Sequence, residues 1–264
     1  MPPHEADASP RVDDAGFAAR HAVLRAGYGH RADPDDPAQV LAMPLVLHIP
    51  KVGPPARSAL LAAAAAATAA LCLDVRVGLG PDGEPGPWRG DYLAWTGARI
   101  RKVARRARGA QWLAAQDVAG VTALIDGAQA RALVPGPVGA LDPRIRKLQI
   151  GGTDLVHDEP GDPVAGVPVL WVNAELGMTV GKAAAQVGHA AMLLAGAMTT
   201  AEAADWAGGG FRCSVRDAGP DRWAALAVEA SRGEVVAVRD AGFTEVAPGS
   251  MTVVAVPAFR AAWS

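Results

Sequence analysis

The stretch LGMTVGKAAAQVGHAAML, residues 176–193, decides how the chain reads. Gly177 and Gly181 allow the backbone to turn sharply, and the run that follows is rich in alanine, the strongest helix former. On a helix beginning near Val180, Lys182, Gln186 and His189 stand at i, i+4 and i+7 and share one face. Ala183, Ala184, Ala185, Val187, Ala190 and Ala191 are left to pack elsewhere. A lysine in the first turn opposes the helix dipole unless an anion lies close. The pattern therefore calls for a carboxylate or a substrate phosphate beside Lys182. It also fits a solvated face carrying unrelated polar groups, and the chain supplies its own comparison.

PLVLHIPKVGPPARSALLAAAA, starting at Pro44, follows the same plan as PVLWVNAELGMTVGKAAAQVGHAA, starting at Pro168. Each has a short apolar run suited to a buried strand, a Gly-containing loop and an Ala-rich helix. Downstream, Trp95 and Trp112 have the spacing of Trp206 and Trp223, with RIRKVA and GFRCSV as strand candidates between them. IDGAQARALVPG then stands beside RDAGFTEVAPG, and RIRKLQI beside MTVVAVP as closing strands. This order predicts two copies of one α/β unit. Sliding Pro44 onto Pro168 places Ser58, Ala62 and Ala65 where Lys182, Gln186 and His189 stand. The first copy keeps the framework without the polar groups, which argues that those groups serve chemistry.

A second constellation, RDAGFTEVAPGSMTVV (239–254), follows the β-rich run EVVAV. Asp240 is expected at the C-terminal end of a strand, where ligands of open α/β sheets gather. Ala241-Gly242 reads as a tight turn, with Thr244, Ser250 and Thr252 around it. Asp240 could equally serve only to fix that turn.

The bulk properties exclude several classes. The chain has 264 residues, half of them apolar and a fifth charged, with a formal net charge of −2. A uniformly basic nucleic-acid binder would differ. Aromatics are sparse, so the core must rely on small side chains and close backbone approach. Cys72 and Cys213 have no metal-ligand spacing and read as reduced core residues. GLGPDGEPG (78–86) lacks a dinucleotide-binding pattern. Residues 56–73 approach the length of a membrane span, but they are mostly alanine and read as a buried helix. No secretory leader opens the sequence, and a cytoplasmic protein without membrane contact is expected. The polar residues 1–16 are expected to be poorly ordered.

The residues from Gly177 to Ser250 resemble the type 2 peptidyl-tRNA hydrolases. The order and spacing of Gly177, Lys182, Gln186, His189, Asp240, Ala241, Gly242, Thr244, Gly249 and Ser250 carry the likeness, over roughly 167–258. The resemblance implies a compact α/β domain with a four-stranded mixed sheet and helices on both faces. It implies metal-independent, cofactor-free hydrolysis of the ester joining peptide to the tRNA 3′ ribose. With no strong nucleophile in the set, direct attack by water is expected. Lys182, His189, Asp240 and Thr244 are then the catalytic candidates, and Gln186, Gly177 and Ser250 the substrate-binding ones. Met178-Thr179-Val180 and Phe243 stand where the family carries more basic residues, which lowers positive charge near the expected acceptor end. A non-catalytic tRNA-binding protein and a hydrolase of another aminoacyl ester are the alternatives.

The expected organisation is a partly disordered segment (1–40), a degenerate hydrolase-like domain (41–150), a linker (151–166) and a catalytic domain (167–264). Since the family forms homodimers, a tandem copy implies a monomer folded as an intramolecular pseudo-dimer, with a homodimer as the alternative. In the first half, ARIRKVARRAR (98–108) contains six basic residues, and RIRK follows at 144–147. Both are expected on strands, giving one basic face on which Arg99, Arg101, Arg105 and Arg106 grip tRNA phosphates. The same run also fits a charged sheet edge that blocks aggregation.

Overall fold

The structure, a computed structural model, describes residues 16–29, 31–242 and 245–258. Most of the segment expected to be poorly ordered, 1–15, lies outside the described residues. The chain opens with α1 (Phe17–Arg25) and then builds a first unit. Its elements are β1 (Leu41–His48), α2 (Arg57–Leu73), α3 (Arg89–Gly97), β2 (Arg101–Ala107) and α4 (Ala110–Gln116). They are followed by β3 (Gly120–Ile125), β4 (Ala128–Leu133), β5 (Gly136–Pro137) and α5 (Pro143–Arg146). The second unit comprises β6 (Val169–Asn173), α6 (Val180–Ala197), α7 (Thr200–Gly208), β7 (Ser214–Ala218) and α8 (Pro220–Ser231). It closes with β8 (Val236–Arg239) and β9 (Met251–Val256).

Strand order in the first sheet is β2-β1-β4-β3, with β5 added to β1, and in the second it is β7-β6-β9-β8. In both, the first-listed pair is parallel and the others are antiparallel. The protein is therefore α/β with two mixed sheets, the first carrying a fifth, two-residue strand where four strands were expected. The likeness extends to side chains. Trp95 donates its indole N–H to the carbonyl of Arg101 at 3.0 Å, and Trp206 donates to Arg212 at 2.7 Å. The residue before each acceptor, Ile100 or Phe211, has positive φ, 41° and 55°. Such a conformation is costly for these side chains, yet it recurs at the same place.

Two parts of the repeat alignment need correction. RIRKLQI does not form a closing strand. Asp142 caps the amide of Arg144 and Pro143 starts the short helix α5, so only Gln149 bridges back to Arg106. The counterpart of β9 is β4, and Val134-Pro135-Gly136 follows its strand whereas Ala247-Pro248-Gly249 precedes β9. The single basic face is also absent. Along β2, Lys102 and Ala104 turn into the main core, while Ala107 joins a separate cluster with Trp112 on the opposite side. A strand alternates its side chains, so Arg106 stands on the opposite face from Arg101 and Arg105, and only Arg101 of the three lines the cleft.

The units meet through α2 and α6, and each helix also reaches the other unit's parallel edge strand, α2 to β7 and α6 to β2. Ala62 to Ala67 and Ala183, Ala184, Ala190 and Ala191 are all buried there. Small side chains let the helix axes approach closely, and the buried area replaces what bulky residues supply elsewhere. Arg57 on α2 donates from Nη1 to both carboxylate oxygens of Asp217 on β7, at 2.9 and 2.7 Å. Helix α1, within the stretch read as partly disordered, packs on α6 and α2. Its His21 lies 2.7 Å from the Ala195 carbonyl, and its Arg20 donates to the Leu73 carbonyl at 2.8 Å. Among the described residues no helix is long and apolar enough to cross a membrane.

Candidate active site

Thr179 ends its loop in extended conformation and its hydroxyl accepts the amide of Lys182 at 3.2 Å, which starts α6 and fixes its first turn. Glu245 secures this N-terminus from the facing loop, accepting from the Thr179 amide and hydroxyl at 3.0 and 2.9 Å. The ammonium of Lys182 then meets Asp240 Oδ2 at 2.6 Å, both side chains being largely buried. Asp240 is thus the anion that the dipole argument asks for beside Lys182.

Asp240 follows β8 directly, and its backbone ties the long loop shut: its amide donates to Ser250 O and its carbonyl accepts from Gly249 N. Gly242 turns the chain at φ 80°, and a Cβ there would run into the Pro248 ring. Its amide donates to Asp240 Oδ1 at 2.7 Å. Gln186, one helical turn beyond Lys182, donates to Asp240 Oδ2 at 2.8 Å. Gln186 is oriented by the hydroxyl of Thr252, which is fully buried and donates to Oε1 at 2.6 Å. That bond leaves the Gln186 amide nitrogen to face Asp240. A chain of donors and acceptors therefore runs from β9 through α6 to the carboxylate, each member held by the next.

His189 lies on the same face but engages the other half of the molecule, with Nδ1 3.0 Å from Lys102 Nζ on β2. Burial first, then the charges of Lys102 and Lys182, push the imidazole well below its ordinary pKa and hold it neutral. Burial brings Lys102 itself down to about 7.

These groups line a cleft of about 760 Å³ between the two units. Lys182, Gln186, His189 and Asp240 form one wall, and Arg31, Arg99, Arg101 and Lys102 approach from the other. Arg101 is held by Asp33 in a bidentate pair at 2.6 and 2.7 Å, and Arg99 lies 3.4 Å from the same carboxylate. The other expected binding residues are elsewhere. Arg105 donates to the carbonyls of Arg146 and Leu148, and Arg106 to Gln149 and to Gly152 O. Arg106 lines a separate hollow of about 200 Å³ instead. Gly177 ends a 3-10 turn in the left-handed conformation, and Ser250 serves through its backbone, neither lining the cleft. Thr244 lies outside the described residues. Among the described residues, no three His, Cys, Asp or Glu side chains group as a metal site would require.

Lys102, Arg31 and Glu245 escaped the sequence reading as members of this cleft. Lys102 sat in a basic run read for phosphate contacts, and no spacing in the chain links it to His189, 87 residues away.

The corresponding region of the first unit is built differently. Between β3 and β4 the chain has only Asp126-Gly127, both at positive φ, where the second unit has the loop 240–250. Asp126 pairs with Arg212, and the N-terminus of α2 is taken by Asp158, which accepts from the Ser58 amide and hydroxyl.

A family model described as Peptidyl-tRNA hydrolase PTH2 matches residues 167–261. A protein of Haloquadratum walsbyi named peptidyl-tRNA hydrolase is 38% identical over 90 residues, covering 33% of this chain and 80% of that relative. No solved structure matches. The matched span contains the whole Lys182–Asp240–Gln186–Thr252 network, and through it the chain belongs to the PTH2 peptidyl-tRNA hydrolase family.

Proposed function

We propose that this chain hydrolyses the ester bond joining a peptide to the 3′ ribose of tRNA, by direct attack of water. The observation that carries the reading is the Lys182–Asp240 pair at 2.6 Å, in the segment matched to the family and on the wall of the large cleft. Asp240 accepts from Lys182, Gln186 and Gly242. A carboxylate has about four lone-pair sites, so one remains to hold a water molecule. That water adds to the ester carbonyl carbon, and the negative charge on the carbonyl oxygen is met by the Lys182 ammonium and donors of the cleft. The bond to the 3′ oxygen then breaks. One water proton goes to that oxygen and the other leaves to solvent, giving a peptide carboxylate and a free tRNA hydroxyl. Thr244 keeps the catalytic role assigned to it by the motif.

We further infer that 41–150 is a degenerate copy of the catalytic domain and that the chain works as an intramolecular pseudo-dimer. The shared strand order, the two indole-to-carbonyl bonds and the packing of α2 on α6 support this. Arg31, Arg99 and Arg101 make the non-catalytic wall basic, which suits the phosphates of the acceptor end.

The test is cleavage of peptidyl-tRNA by the full chain and by Lys182→Ala and Asp240→Ala. Turnover that falls by about 10²–10³-fold in each variant is expected for loss of a preorganised electrostatic group. Absence of turnover by the unaltered chain overturns the reading, and turnover indifferent to both substitutions overturns the site. Sedimentation as a single chain is expected for the pseudo-dimer, and a tight dimer of full chains overturns it.

A further inference from the structure

We infer that Lys102, contributed by the non-catalytic unit, is a positioning residue that holds Nδ1 of His189 and so presents the Nε2–H to the cleft as a donor for a substrate ester oxygen. The inference rests on the proposed hydrolysis for its substrate, but the state of His189 can be read without any substrate.

With Lys102 charged, the geometry allows one arrangement of protons. An ammonium has donors and no acceptor, and Lys102 Nζ lies 3.0 Å from His189 Nδ1. Nδ1 must accept, so a neutral ring carries its proton on Nε2. Among the described residues Nδ1 has Lys102 as its partner and Nε2 has none in the protein, while His189 lines the cleft. The second nitrogen is therefore left for whatever enters. The partner of one ring nitrogen selects the tautomer that the other presents.

The rest of the lysine is seated for this purpose. Its stem passes over Gly188, where a Cβ would stand 3.2 and 3.5 Å from Lys102 Cδ and Cε and 2.8 Å from Thr68 Oγ1. Its nitrogen also reaches the Ile100 carbonyl at 3.4 Å and Met192 Sδ at 3.2 Å, and lies 4.9 Å from the centre of the Trp95 ring. The titratable neighbour on α2 is Cys72, whose thiol burial pushes up to about 11, and Tyr92 of α3 is raised in the same way. Lys182, the other cation facing His189 along α6, is engaged by Asp240. Both neighbouring acids are thus uncharged near neutrality, and no carboxylate pairs with Lys102 among the described residues.

The fold does not require an amine here. In the second unit the residue after the carbonyl that accepts the indole bond is Cys213, a buried thiol lying against the Ala62 carbonyl of α2 at 3.9 Å. A buried amine without a counter-ion is unfavourable. A small apolar group at 102 would serve packing alone, as it does at 213. The side whose own helix lacks counterparts of Lys182, Gln186 and His189 is the side that sends its lysine to the other helix.

The experiment is nitrogen NMR of the full-length chain labelled at histidine, with Lys102→Met and Lys102→Cys compared. Lys102→Met keeps the apolar stem, and Lys102→Cys installs the residue that the twin position carries, so one covers for misfolding of the other. In the unaltered chain His189 is expected neutral at about pH 6, where the Lys102 amine is charged, with its proton on Nε2. In each folded variant that preference is expected to be lost and the imidazole to titrate at higher pH. Turnover is expected to fall by about 10²-fold or more with KM within about twofold, the low end of the scale for losing an acid–base contribution. An Nδ1–H or doubly protonated ring in the unaltered chain overturns the inference, as does an unchanged tautomer in both variants. If the ring is in the expected state and the unaltered chain does not cleave peptidyl-tRNA, the hydrolysis reading falls and the Lys102–His189 coupling stands.

Discussion

Thr252 Oγ1 donates to Gln186 Oε1 at 2.6 Å, deep in the second unit, and this bond orients the amide that Gln186 turns toward Asp240. An amide can present either its oxygen or its nitrogen. Without Thr252 the carbonyl end of Gln186 is free to swing toward the carboxylate, where it can only repel. Thr252→Val keeps the shape of a fully buried side chain and removes the donor. Turnover is expected to fall by about tenfold or more, and stability by about 1–3 kcal/mol for the acceptor left unpaired. Steady-state kinetics together with urea melts check both. Unchanged turnover would remove Gln186 from the working network.

The inter-unit pair of Arg57 and Asp217 offers a test of the assembly that avoids the chemistry. Arg57 is 4% exposed and Asp217 23%, and His157, in the stretch between the two units, approaches the same carboxylate at 2.9 Å. Asp217→Ala strands a buried guanidinium, and a destabilisation of about 3–5 kcal/mol is expected. Neither residue lines the cleft. Activity per folded molecule should therefore persist at low temperature while the urea midpoint falls sharply. An unchanged midpoint would mean that this pair is not formed in solution.

Arg99 and Arg101 line the cleft whereas Arg105 and Arg106 do not, which leads to a contrast in tRNA affinity. Arg99→Ala with Arg101→Ala is expected to weaken tRNA binding and to lower the salt slope by about 0.7–0.9 for each phosphate that is no longer neutralised. Arg105→Ala with Arg106→Ala should leave both nearly unchanged, because neither lines the cleft and both guanidinium groups are turned to main-chain carbonyls and Gln149. Filter binding at several salt concentrations separates the pairs. Equal effects from both would restore a continuous basic face.

Lys102 should leave a mark on stability as a function of pH. Its pKa is lowered by burial to about 7, against about 10.4 in an unfolded chain. Between those values the unfolded chain holds the proton and the folded one does not, so stability rises with pH across that window. Below pH 7 both states hold the proton and the full cost of the buried charge is present. Lys102→Met removes the dependence. Its advantage over the unaltered chain is expected to shrink by up to about 1.4 kcal/mol per pH unit from pH 7 to 10. Chemical melts at several pH values check the slope, and a parallel dependence in both proteins would show that the amine is not buried.

Much of the site was legible in the linear chain because it depends on local periodicity. Lys182, Gln186 and His189 share a face by helical spacing, and the helix dipole called for the anion that Asp240 supplies. The matching Trp spacings became matching indole bonds, and the strand–loop–helix plan became two sheets of the same order. The readings of RIRKLQI as a strand and of β2 as one basic face went astray. A capping Asp142 with Pro143 outweighed the apolar pattern in one, and a strand buried at alternate positions divided its charges in the other.

What sequence by itself determined is thus the local set: which helix carries the polar face, which loop carries Asp240, and which of the two similar segments lacks both. What only tertiary structure decided is the other wall of the cleft. Lys102 and Arg101 reach the site because α6 packs against β2 of the opposite unit, and Arg31 and Arg99 line the cleft beside them. That packing follows from the close fit of α2 on α6 and the gap that Gly188 leaves for a lysine stem. Such contacts join residues far apart along the chain through side-chain volume in three dimensions, and no periodicity within either segment encodes them.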